Sequence, residues 1–124
     1  MWSLRIVGII YLASGLWCAL KPELAASFLG FTLSDVGLSE FFSVYGGLQV
    51  GLAMAMLMSS MKTEYLEAAI FYSLITSTGL FIFRLIAMLN IGSNEGVIAM
   101  AALEGVFVAV FAMQFYSVRK QAYK

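Results

Sequence analysis

Two charged side chains stand where every near neighbour is apolar: Arg84 within residues 79–89, and Glu104 within residues 97–113. A guanidinium in such a setting can grip a carboxylate or another anion. A carboxylate can pair with it, or accept and return a proton. Tyr45 and Gln49 are four residues apart and share one helical face. Ser73 and Ser77 fall in a narrow helical arc with Arg84, and Tyr11, with Ser14 and Trp17 beside it, offers further polar groups. Glu40 opens the second apolar run, on the face of Gly47 and away from Gln49.

The same inventory excludes several chemistries. The sequence holds no His and a single cysteine, Cys18. Imidazole metal sites, His acid–base catalysis and an internal disulfide are therefore ruled out. Cys18 reads as a small apolar core residue. The sequence offers no nucleophile–base pair, metal-ligand set or phosphate loop, so neither a metal nor a cofactor is expected. Net charge is zero and no basic run is interleaved with aromatics, which argues against nucleic acid.

The elements that must position these groups follow from composition. Of the 124 residues, 62% are hydrophobic and 11% charged, against about 25% charge in ordinary soluble domains. A water-soluble fold of this size cannot hide so much apolar surface, and lipid removes the difficulty. Spanning the hydrocarbon takes about 20 apolar residues as helix. The runs at about 3–20, 40–61, 65–90 and 95–117 qualify. Continuous apolar runs exclude barrel strands, which would alternate. The fold class is all-α: an integral membrane four-helix bundle of sequential antiparallel transmembrane helices, forming one domain over 1–124. The first run is expected to be retained, since Lys21-Pro22 stands where a signal-peptide cleavage site would be.

Short connections predict which helices are neighbours. Lys62-Thr63-Glu64 and Ile91-Gly92-Ser93-Asn94 read as tight turns, with Gly92 closing the third helix and Asn94 capping the fourth. Segment 22–38 reads as a short interfacial helix begun by Pro22 and stopped by Gly30, followed by a small cap. Arg5, Lys62, Arg119, Lys120 and Lys124 collect on one face and Lys21 alone on the other. That bias places both termini in the cytoplasm of a multi-pass protein of the bacterial inner membrane.

Along ideal helices, Arg84 and Glu104 lie roughly 13 and 17 Å from the turn at Gly92, and Tyr45 and Gln49 roughly 9 and 15 Å deep. An unpaired charge at such depth costs at least about 2.5 kcal/mol, so Arg84 and Glu104 are expected to form a buried ion pair. Two readings of the cluster stay open. Tyr45, Gln49, Arg84 and Glu104 line a ligand cavity, with Glu40, Ser73, Ser77 and Tyr11 at its rim; or the pair is structural and fixes helix register. The small-residue stripes Gly47/Gly51/Ala55 and Ala101/Gly105/Ala109 allow close helix approach. They serve either packing within the bundle or a seam with a second copy or a membrane-protein partner.

Ser14-Gly15-Leu16-Trp17 followed by Pro22, the stretch from Glu40 through Tyr45-Gly46-Gly47-Leu48-Gln49, and Arg84 with Glu104 together carry a resemblance. The chain resembles a family of small bacterial four-helix membrane proteins without an established activity, loosely related to the DoxX-like proteins. Many members carry an Arg soon after the Glu that opens helix two; here Phe41, Phe42 and Ser43 stand in that stretch, which removes a partner for Glu40. The resemblance implies a fold and a set of typical positions.

The leading functional expectation is a non-enzymatic membrane module that binds lipid or a small lipophilic ligand, or serves as an accessory subunit. An enzyme acting on a membrane-soluble substrate is an alternative, with Glu104 as acid or base, Tyr45 as proton donor and Arg84 holding an anion. A proton-coupled exporter is a third. It suits the residues less well, because Arg84 neutralises the carboxylate that would have to titrate.

Overall fold

The computed structural model describes residues 1–122, so Lys124 of the charge tally lies outside the described residues. Every regular element among these is helical: α1 (Trp2–Leu20), α2 (Pro22–Phe28), α3 (Asp35–Phe41), a π-helical segment (Phe42–Leu48), α4 (Gln49–Ser59), α5 (Thr63–Asn90) and α6 (Glu95–Ala122). The third element, the π segment and α4 run on as one rod, Asp35–Ser59. With α1, α5 and α6 it makes four helices long and apolar enough to cross a membrane.

Local chemistry sets the boundaries. Lys21 ends α1 and leads directly into α2, where Pro22 takes the first helical position. Gly30 closes α2 at φ 83°, with the Gly30 N–H on the Ser27 carbonyl at 3.0 Å and the Phe31 N–H on the Ala26 carbonyl at 2.8 Å. That is the paired bonding of a Schellman stop, as Gly30 foretold. Asn94 caps α6 as expected: its Oδ1 accepts the Val97 N–H at 2.8 Å.

Three boundaries differ from the sequence reading. The second long helix starts at Asp35 rather than residue 40, because the Ser34 hydroxyl accepts the Gly37 N–H at 3.2 Å and Asp35 favours the first turn. The fifth helix starts at Thr63, which narrows the turn before it to Ser60–Lys62. The sixth continues past residue 117, with Arg119 and Lys120 complementing the negative end of the helix.

The long helices pack as two intimate pairs. The first helix lies along α4 and the π segment, and α5 lies along α6; contact between α4 and α5 is sparse. A shared core takes Leu4, Val7 and Tyr11 from α1, Ala53 and Met56 from α4, Ile70 from α5, and Phe107 and Phe111 from α6. A second cluster of Cys18, Ala25, Ala26 and Phe41 seats α2 against α1 and α3, so Cys18 is the core residue it was read to be. At one end, Arg5 Nε donates to Ser60 Oγ at 3.3 Å. At the other, Gly96 leaves room for the Phe28 carbonyl to touch the start of α6.

Candidate functional site

The close fit of α5 on α6 creates the charge pair. A Cβ on Gly105 would stand 3.2 Å from the Phe81 ring, so that ring lies flush on α6 and Arg84, just beyond it on α5, is carried to Glu104. Arg84 Nε meets Glu104 Oε2 at 2.7 Å and Nη2 meets Oε1 at 2.7 Å, a bidentate fork. The Glu104 side chain is 5% exposed and that of Arg84 21%.

A cavity of about 180 Å³ opens on this pair, and all four long helices contribute to its wall. Tyr11 and Ser14 come from α1, Tyr45 from the π segment, Gln49 from α4, Arg84 from α5 and Glu104 from α6. Among the described residues no other carboxylate, guanidinium or ammonium group lines it. Apolar side chains, among them Val44, Leu48, Leu52 and Leu80, complete the wall. Val44, Leu48 and Leu80 are exposed, so the mouth faces sideways between the second and third long helices.

The polar lining is held by neighbours of known shape. The Tyr45 ring stacks on Phe41 at 4.6 Å between centroids, and Phe31 stands edge-on to both at 5.9 Å. The Tyr11 ring packs on Phe107 at 5.7 Å. Gln49 lies against α1, where a Cβ on Gly15 would come within 3.0 Å of its own. The Gln49 Oε1 is buried and has no hydrogen-bond partner among the described residues. A π segment adds a residue to the turn and re-aims side chains, and such segments recur at functional sites; here it carries Tyr45.

Of the groups singled out from sequence, Tyr45, Gln49, Arg84, Glu104 and Tyr11 meet at the cavity. Glu40 does not: it is exposed on α3. Ser73 is buried but faces a second groove, about 320 Å³, between α4 and α5. Ser77 is buried with its hydroxyl beside Tyr11. Trp17 turns outward and packs edge-on against Phe28. Sequence reasoning missed the Phe31–Phe41 support of Tyr45, although Phe41 and Tyr45 stand four residues apart.

The stripes divide. Gly47 and Gly51 face open space and Ala55 is exposed, so this stripe does not pack within the chain. In the other, Ala101 is buried and Gly105 meets Phe81, while Ala109 is exposed.

Against protein-family models, curated proteins and solved structures alike, the chain shows no match. The site is therefore argued from its own chemistry. Both carboxylate oxygens are occupied by one guanidinium, which leaves a polar but electrically balanced floor under an apolar mouth. Among the described residues no cluster of three His, Cys, Asp or Glu side chains can hold a metal ion.

Proposed function

We propose that this chain is a multi-pass membrane protein that binds a small lipophilic ligand, admitted sideways from lipid into the cavity on Arg84 and Glu104. The single observation that carries this reading is the mouth: a polar, charge-balanced floor reached past exposed Val44, Leu48 and Leu80. In water such a rim would be a liability; in a bilayer it is a door for apolar molecules.

The membrane setting has its own support. Phe83, Leu89 and Ile91 are 75%, 86% and 87% exposed, which lipid tolerates and water does not. The contacts Arg5–Ser60 at one end and Gly96–Phe28 at the other suit four helices alternating in direction. The basic bias then puts both termini in the cytoplasm of a bacterial inner membrane; a C-terminal reporter active only outside would reverse that orientation.

The bidentate hold on Glu104 weighs against the enzyme and exporter readings. A carboxylate engaged at both oxygens is a poor general base and a poor titrating switch. The open Gly47/Gly51/Ala55 stripe keeps a partner subunit in view as a second role for the same module.

The test is native mass spectrometry of the protein released from lipid nanodiscs. Wild type is expected to carry a lipophilic adduct, and Leu48→Trp, which fills the mouth, to lose most of it. No adduct on wild type, or equal retention by the variant, would overturn the reading.

A further inference from the structure

We infer that the ligand is a neutral, hydroxyl-headed lipid, its head at the Arg84–Glu104 cavity and its tail along the groove between α4 and α5. This rests on the ligand-binding reading above and assigns the class of molecule.

Charge decides the first half. The ion pair balances its own charge through two contacts of 2.7 Å, and among the described residues no other formal charge lines the cavity. An anionic head would bring surplus negative charge beside Glu104, and a cationic head surplus positive charge beside Arg84. In a low-dielectric site either surplus is strongly unfavourable. Position agrees with charge. Glu104 lies nine residues beyond Glu95, about 14 Å along α6, a depth that a neutral head reaches far more easily than a phosphate.

Hydrogen bonding narrows the class further. The Gln49 Oε1 is buried at the cavity wall and has no donor among the described residues, so a head that brings an O–H or N–H can satisfy it once the amide turns into the cavity. Tyr11, Ser14 and Tyr45 line the same space and carry hydroxyls able to donate to an oxygen in return. A hydroxyl both donates and accepts. A plain ester or ketone leaves Gln49 unanswered.

The tail has a place because the two hollows adjoin. Leu52 forms a wall of both the cavity and the groove of about 320 Å³ beside it. Beyond Leu52 the groove runs between Ala55 and Met56 of α4 and Ala68 and Ala69 of α5 as far as Ser59. That is seven helical residues, about 10 Å of apolar trough. Since lipid is as apolar as the trough, the tail sets orientation and the head sets selectivity.

Four probes with one tail separate these claims: oleyl alcohol, methyl oleate, oleate and oleylamine, titrated onto the protein in detergent and read by native mass spectrometry. Oleyl alcohol is expected to bind at least about tenfold tighter than oleate and oleylamine, and severalfold tighter than methyl oleate. Gln49→Leu is expected to erase the preference of alcohol over ester, and Tyr45→Phe, which keeps the ring stack, to reduce it. Oleate or oleylamine binding as tightly as the alcohol overturns the assignment, as does an unchanged preference in Gln49→Leu. If none of the probes binds while Leu48→Trp still expels the adduct of wild type, the head assignment fails and the ligand reading stands. If there is no adduct either, both fall.

Discussion

The rod formed by α3, the π segment and α4 has two flanks, and they are built on opposite principles. Toward α1 it is closed by backbone approach: a Cβ on Gly15 would stand 3.0 Å from the Val50 amide nitrogen, and one on Gly46 would stand 3.1 Å from the Ala19 Cβ. Toward α5 it is held apart, with two hollows along the seam and Leu52 between them. In lipid, helices associate through close packing and hydrogen bonds rather than through apolar burial. A seam with neither is free to be a binding site. The closed flank gives the rod its position, and the open flank is where the proposed ligand would sit.

The largest effect that separates these flanks should come from the pair at the floor of the open one. Glu104→Ala leaves Arg84 uncompensated inside the helices, and losing one partner of a buried pair costs about 3–5 kcal/mol. Unfolding by steric trapping in bicelles should show that loss. The double change Arg84→Met with Glu104→Leu should recover wild-type stability or exceed it, since a well-packed apolar pair avoids the desolvation cost. Recovery of stability without recovery of ligand would identify the pair as kept for the cavity. A double variant as unstable as the single one would mean that the pair is needed for packing itself.

A smaller loss is expected on the closed flank. Gly15→Ala sets a methyl group 3.0 Å from the Gln49 Cβ, the Val50 Cγ2 and the Val50 backbone nitrogen at once. A backbone atom cannot step aside by changing rotamer, so α1 and α4 must separate, at about 1–3 kcal/mol. The same measurement checks it. Wild-type stability in Gly15→Ala would mean that the closed flank is looser than its geometry, and the contrast between the flanks would shrink.

Much of this is legible in the sequence, and the reasons are physical. A charge among apolar helices has one good remedy, so Arg84 and Glu104 are expected to pair, and Tyr45 and Gln49, four residues apart on one face, reach the same cavity. Gly30, Gly92 and Asn94 act through their immediate neighbours, and local signals read well. The start of the second long helix was missed because the Ser34–Asp35 cap lies inside a segment whose apolar residues suggested an interface. The close-packed glycines were missed for a subtler reason. Periodicity singled out Gly47, yet Gly46 makes the contact with α1. A reading at 3.6 residues per turn fails across a π segment, where each turn holds more. Gly8 and Gly15 are seven residues apart and fall outside the four-residue pattern of small residues altogether.

The smallest expected effect lies on that misread stripe. Nothing stands within 4 Å of a Cβ built on Gly51, so Gly51→Ala meets no clash within the chain. It should gain stability by about 0.5–1 kcal/mol, the difference between glycine and alanine in a helix interior. The mass distribution in nanodiscs should not change. A loss of stability, or a shift to fewer subunits, would mean that another helix lies against this face in the membrane. The stripe would then be a second closed flank whose partner is another chain, and the openness described here would belong to the α4–α5 seam alone.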